Sequence, residues 1–406
     1  MITSRFNLQL PFLILTCLVC SFLISLFLVQ LFAALLTFLW LSERFTDKRK
    51  SFDIFGLVIL LYGAARLISI IFSEFPEESI HSLYKEALFY FSFFSMNFYL
   101  KVFDDNYLRK TAYAFVTASA VVAIIGIIKF NLDFDYRASS FSSGYMAFST
   151  YLLAGLSLLI FSIPLKDVVS NWIVRSFGIS FILTGIITSL GRVNIVIAFM
   201  LFFLGVIIKK IKLKEIAATA VLTTILCSIS FYNNSYRLFE YRVNNPSLLS
   251  DRDIILKGAK DLFLEFENPL SGYGPRSFQL IFPYVNDLSD KRINSWHNDF
   301  IQLYFESGIL GFLTLCLLIF IPIFFAIKFL LNRNKSNPLF KDLMLGIAIS
   351  ITALSLAALS SIFINSPVLS LIFAFLLALQ CAVFYKEGWF KELNFIKLIS
   401  GARKWK

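Results

Sequence analysis

The chain has 406 residues, of which 58% are hydrophobic, 17% aromatic and only 16% charged, with a mean hydropathy of +0.76. A water-soluble fold cannot bury that much apolar surface, so soluble classes are excluded and most of the chain must face lipid or other apolar helices. The net charge of +11 does not point to nucleic acid, because the basic residues sit in short clusters between apolar runs, as cytoplasmic membrane loops do.

The first apolar run covers about 6–41. As one helix it would reach roughly 54 Å, well beyond a bilayer core of about 30 Å, so two spans are expected there. No small-residue cleavage site follows it, and it reads as a retained membrane segment. Further spans are expected near 54–72, 86–103, 111–130, 145–165, 173–190, 193–208, 216–232, 309–330, 343–364 and 368–385. The expected fold is therefore an all-α polytopic membrane protein with about twelve transmembrane helices and one long, mostly helical periplasmic loop. Residues 1–232 form an N-terminal bundle of about nine spans, 233–308 the loop domain, and 309–406 the last three spans with a basic tail.

The clusters "RFTDKRK" (Arg44–Lys50), "KKIKLK" (Lys209–Lys214), "NRNK" (Asn332–Lys335) and the tail "ARKWK" then fall on one side, which the positive-inside rule makes cytoplasmic together with both termini. The loop 233–308 carries 8 Lys and Arg against 10 Asp and Glu, a net −2 that leaves +13 for the rest. Loops of that length are usually functional or disordered. This one is not disordered in composition: "DIILKGAKDLFLEF" (Asp253–Phe266) is apolar at helical spacing, with Asp251 and Asp253 as N-terminal acids. "NPLSGYGPRSF" (Asn268–Phe278) follows as a turn cluster. All five cysteines lie in apolar runs without a zinc-type spacing, so neither disulfides nor a zinc site is expected.

Only two histidines occur, His81 and His297. His297 stands where the loop meets the next apolar run. Asn298, Gln302 and Glu306 follow at i, i+4, i+8, which on a helix is one polar ridge entering an apolar span. Such a ridge is expensive unless it lines a cavity or site, and a histidine there has the pKa of a general base. Arg192, in the near-loopless turn "SLGRVN", is either a snorkelling cation or a planar fork for phosphate oxygens. Arg137, Arg252 and Arg276 fall on the same outer face as His297, making an anion-binding, base-containing surface. No P-loop, dinucleotide fingerprint or GxSxG elbow is present. The expected chemistry is acid/base work on a phosphate-bearing lipid, with no cofactor or metal.

"SWHNDFIQLYFESGILGF", read as H-N-x-x-x-Q-x-x-x-E-x-G-x-x-G, resembles the signature of the O-antigen ligase and O-antigen polymerase superfamily, bacterial inner-membrane enzymes of the family C glycosyltransferase fold. "DRDIILKGAKDLFLEFENPLSGYGPRSF" resembles that family's arginine-headed outer helix and its N-P-L-x-G-x-G turn, which brings in Gly272 and Gly274. "SLGRVNIVIAF" resembles its arginine turn between two spans. "YRASSFSSGYMAFSTYLLAG" resembles an arginine segment in which Ser140 replaces the usual glycine. The resemblance implies a glycan donor on undecaprenyl diphosphate, an acceptor that is lipid A-core or another lipid-linked glycan, and an inverting transfer at the periplasmic face. It implies His297 as catalytic base and Arg192, Arg252 and Arg137 on the diphosphate. Asn298, Gln302, Glu306, Gly272, Gly274 and Arg276 would support them. A polymerase joining lipid-linked repeats is the nearer alternative, and a polysaccharide or lipid transporter the more distant one. Charges gathered on one face beside a long loop favour an enzyme over a transporter, with Arg66 the one mid-span cation that does not fit.

Overall fold

The computed structural model describes residues 8–162, 172–236, 240, 252–291, 293, 295–332 and 337–389. Both chain termini, Asp251, most of the "NRNK" cluster and the basic tail lie outside the described residues. Every regular element among the described residues is helical.

The helices are α1 (Gln9–Ser21), α2 (Leu26–Ser42), α3 (Ile54–Ile71), α4 (Pro76–Val102), α5 (Asp105–Asn131), α6 (Tyr145–Phe161), α7 (Trp172–Thr188), α8 (Arg192–Ile207), α9 (Leu213–Asn233), α10 (Arg252–Leu264), α11 (Asp299–Leu331), α12 (Pro338–Ala357) and α13 (Pro367–Lys386). Six of them, α3, α5, α9, α11, α12 and α13, are long and apolar enough to cross a membrane. A bent pair, α2 with Phe45–Ser51, would make seven, and α1, α6, α7 and α8 are shorter apolar helices. The first run is thus two helices, parted at Leu23, where φ is 60°.

Local sequence sets the helix ends. The Asp53 carboxylate caps α3 by accepting from Phe55 and Gly56 N–H, both at 2.9 Å, and takes Asn97 Nδ2 of α4 at 2.8 Å. One acid therefore starts α3 and pins the end of its neighbour. Pro76, Pro338 and Pro367 each open a helix, where the missing N–H is not needed. Helix α13 is buried along nearly its whole length and packs chiefly on α4, while α12 packs on α6 and α11 on α3. A second apolar cluster gathers Ile255, Leu262, Tyr273, Phe278, Phe282 and Trp296 with Phe305 of α11.

Helix α4, expected at 86–103, begins already at Pro76, and two boundaries near His297 also differ from expectation. The helix expected at 309–330 begins already at Asp299, and the one expected at 343–364 stops at Ala357. The same contacts explain both. Beyond Ala357, three successive carbonyls turn to the outer segment: Ala358 O accepts from Asp299 N–H at 3.0 Å, Leu359 O from Asn298 Nδ2 at 3.2 Å, and Ser360 O from Arg252 Nη2 at 2.7 Å. Asp299 closes the junction by accepting from Phe363 N–H at 2.7 Å and Ile364 N–H at 3.3 Å.

Candidate active site

His297 is held on both sides. Trp296 before it is 2% exposed, stacks on Phe305 at 4.7 Å and meets Phe278 and Phe282 edge-on at 5.0 and 5.5 Å. Asn298 after it caps α11, its Oδ1 accepting from Phe300 N–H at 2.9 Å and Ile301 N–H at 3.1 Å. Between these anchors His297 takes φ 49°. That left-handed conformation costs about 1–2 kcal/mol, which the buried aromatic packing offsets. Burial, and secondly the Arg252 charge, lower the His297 pKa below its ordinary 6.5, so the imidazole is neutral at pH 7 and able to accept a proton.

The expected three-member ridge has two members. Asn298 precedes the helix in extended conformation and serves as its cap. Gln302 and Glu306 do share a face, with Gln302 Nε2 donating to Glu306 Oε1 at 2.9 Å. Glu306 is the centre of a buried network: Oε2 takes Arg66 Nη1 at 2.9 Å and Oε1 takes the Arg276 N–H at 3.1 Å. Arg66 also donates to Ser307 Oγ at 2.9 Å and pairs with Glu86 at 2.6 Å. The mid-span arginine is therefore bracketed by two carboxylates, as a charge out of water requires.

Gly272 and Gly274 act at a distance from His297. Helix α11 breaks at Ser307 and Gly308, where Gly308 has φ 61° and ψ −160°. The carbonyls freed by the break accept from the turn: Phe305 O from Tyr273 N–H and Glu306 O from Gly274 N–H, both at 2.9 Å, and Ile309 N–H donates to Pro269 O at 2.8 Å. Gly272 sits at φ 73°, and a Cβ there would lie 2.5 Å from the Glu306 carbonyl carbon. A Cβ on Gly274, at φ 105°, would collide with the Ser73 and Ser79 hydroxyls. The N-P-L-x-G-x-G turn and the E-x-G-x-x-G break are two halves of one backbone joint.

The arginines arrive from three elements. Arg192 opens α8, and Asn194 two residues on donates to Ser149 Oγ at 2.7 Å on α6. Ala138 N–H donates to Thr188 O at 3.0 Å, which ties the Arg137 loop to the end of α7. Arg137 stacks over the Tyr145 ring at 4.2 Å. Arg252 is held by Ser360 O; burial lowers its pKa, Tyr145 opposes that, and the charges of Arg192 and Arg137 lower it further. The Arg252 charge acts in turn on His297, lowering its pKa after burial.

A cavity of about 640 Å³ opens beside His297; it is lined by Tyr62, Arg66, Glu86, Tyr145, Arg276, Gln302, Glu306 and the 361–367 segment, among others. Arg276, expected as a supporting residue on the outer face, lines this cavity. Sequence reasoning missed Tyr62, Tyr145 and the acid Asp299, and it left Arg66 unpartnered. Opposite charges in two consecutive apolar segments, Arg66 and Glu86, were a readable signal of that pair; nothing in the sequence singles out the tyrosines. Among the described residues, no group of three His, Cys, Asp or Glu side chains could hold a metal ion.

Residues 176–316 match the family model described as O-antigen ligase. The match takes in Arg192, Arg252, Gly272, Gly274, Arg276, His297, Asn298, Gln302 and Glu306, and leaves out Arg137, Arg66 and Glu86. It supports a membrane enzyme of O-antigen ligase or polymerase type. No curated protein matches the sequence.

Proposed function

From the similarity of residues 176–316 to the O-antigen ligase family, we propose that the chain moves a glycan from undecaprenyl diphosphate to a sugar hydroxyl of lipid A-core. His297 takes the proton of the acceptor hydroxyl. The acceptor oxygen bonds to the anomeric carbon from the face opposite the diphosphate, the carbon–oxygen bond to the diphosphate breaks, and undecaprenyl diphosphate leaves with the electron pair. Arg192, Arg252 and Arg137 bind the diphosphate and stabilise the charge that builds on it, the task a metal ion performs in many soluble transferases. Gln302 and Glu306 hold the cavity wall, Asn298 orients His297, and Gly272 with Gly274 allows the turn that presents Arg276.

In this reading the chain lies in the bacterial inner membrane and crosses it twelve times, by every helix except α10. Both ends are cytoplasmic, the 233–308 loop domain is periplasmic, and the site faces the periplasm. The observation that supports the proposal is His297 lining a cavity, with Arg137 stacked on the cavity residue Tyr145 and the Arg252 charge acting on His297.

Deleting the gene and restoring it as wild type or His297→Ala, with surface glycolipid read on a gel, tests the proposal. A ligase leaves bare cores and accumulated lipid-linked glycan in both the deletion and the variant. Cores capped by a single repeat mean a polymerase instead. A full glycan ladder with His297→Ala, at normal protein level, overturns the mechanism.

A further inference from the structure

Two of the residues that line the cavity hold a backbone conformation that disfavours a side chain: His297 has φ 49° and Arg276 has φ 66°. The 268–278 turn places glycines at its other left-handed positions, Gly272 at φ 73° and Gly274 at φ 105°. An arginine in the left-handed region instead costs the turn free energy that glycine would not. Strained residues of this kind gather where a side chain is needed at a site.

Backbone contacts, not the side chain, hold Arg276 in that conformation. Its N–H donates to Glu306 Oε1 at 3.1 Å, and Ser79 Oγ donates to the Pro275 carbonyl just before it at 3.2 Å. Glu306 is itself 1% exposed and fixed by Arg66 Nη1 and Gln302 Nε2, both at 2.9 Å. The Arg276 side chain is exposed, and its guanidinium makes no hydrogen bond or ion pair among the described residues. The other arginine of the lining is already engaged. Arg66, 2% exposed, lies between Glu86 at 2.6 Å and Glu306 at 2.9 Å and also donates to Ser307 Oγ. Both lining carboxylates are thereby committed to Arg66, and Arg276 is the lining arginine with donors to spare.

We propose that Arg276 makes this cavity selective for a glycan that bears an acidic group, a carboxylate or a phosphate carried on a sugar. A guanidinium offers a planar fork of N–H donors that meets two oxygens of such a group at once. The pinned backbone beneath it reduces the ordering that binding would otherwise require. Charge nearby has the same sign: Arg137 stacks on the lining residue Tyr145, and the Arg252 charge acts on His297. The proposal rests on reading the His297 cavity as part of the glycan site, and it adds a requirement for charge on the sugar.

The test uses the full chain in lipid nanodiscs and probes bound without turnover: a neutral disaccharide, the same disaccharide ending in a uronic acid, the same carrying a phosphate monoester, and undecaprenyl diphosphate. The wild type should bind at least one acidic disaccharide roughly three- to tenfold more tightly than the neutral one, the range of a charge-assisted hydrogen bond weakened by solvent. Whichever probe gains identifies the group as carboxylate or phosphate. Arg276→Gly should erase that preference without lowering the melting temperature, because glycine takes φ 66° freely. Arg276→Lys, a charge without the fork, should keep only part of it. Both variants should bind undecaprenyl diphosphate as wild type does. A preference that survives in Arg276→Gly overturns the proposal, as does a loss confined to undecaprenyl diphosphate. A lower melting temperature in Arg276→Gly would assign the side chain to the fold and overturn it too. Equal wild-type affinity for all three disaccharides overturns this proposal alone, whereas no binding of any of them overturns the glycan reading of the cavity along with it.

Discussion

Gly308→Ala tests whether the break in α11 builds the site. At φ 61° and ψ −160° Gly308 occupies backbone space that is essentially closed to other residues, and forcing alanine into it costs about 1–3 kcal/mol. The added methyl would also collide with the Leu270 carbonyl and lie 2.7 Å from Pro269 O. Both are backbone atoms that cannot swing aside, so relief requires the 268–274 turn to leave the helix. That forfeits the bonds Ile309 N–H to Pro269 O, Tyr273 N–H to Phe305 O and Gly274 N–H to Glu306 O, at about 1 kcal/mol each. The total is about 4–6 kcal/mol, a large share of the stability of an ordinary domain. The expected outcome is a clearly lower melting temperature for the purified protein, followed by reaction of a thiol dye with buried Cys381, and loss of the glycan ladder in cells. Gly144→Ala is the control, since a Cβ there meets nothing within 4 Å, and it should melt like wild type. A Gly308→Ala protein with wild-type melting and a full ladder would refute the joint.

Three further outcomes follow from the same contacts. Burial and the Arg252 charge hold the His297 pKa below 6.5, so the acid limb of the kcat/KM profile should lie below that pH. Arg252→Gln removes a cation and so favours the imidazolium, which should move the limb to higher pH; an unmoved limb would mean that another group titrates. Arg66→Met leaves Glu86 and Glu306 facing one cavity without their shared cation, a loss of about 3–5 kcal/mol, visible as a lower melting temperature; unchanged melting would show that the network is not structural. Asn298→Ala removes the cap of α11 for about 1 kcal/mol of stability. Transfer should nevertheless fall roughly ten- to hundredfold, because the proposed base loses its position; a fall in proportion to stability alone would count against orientation.

Much of the site was legible because unlike residues at a membrane border are conspicuous. His297, Gln302 and Glu306 stand out against an apolar run, and Arg192 stands out in a turn with almost no loop. Their partners were less legible. Nothing local shows that Asn298 caps a helix, for it requires the helix to begin at Asp299 and the 358–360 carbonyls to come within reach. Nor does local sequence separate Arg276, which lines the cavity, from an ordinary loop cation.

The sequence by itself determined the helical class, the positions of most apolar runs and the polar character of the 233–308 segment, because hydropathy and charge act residue by residue along the chain. The tertiary structure decided what those residues do for one another. Arg66 became half of a buried network only when Glu86 and Glu306 closed on it from 20 and 240 residues away. The glycines of the turn acquired a reason only against the broken helix they dock on. Such roles depend on which backbone carbonyls are left without partners, and that is settled by packing across the chain rather than by any local pattern.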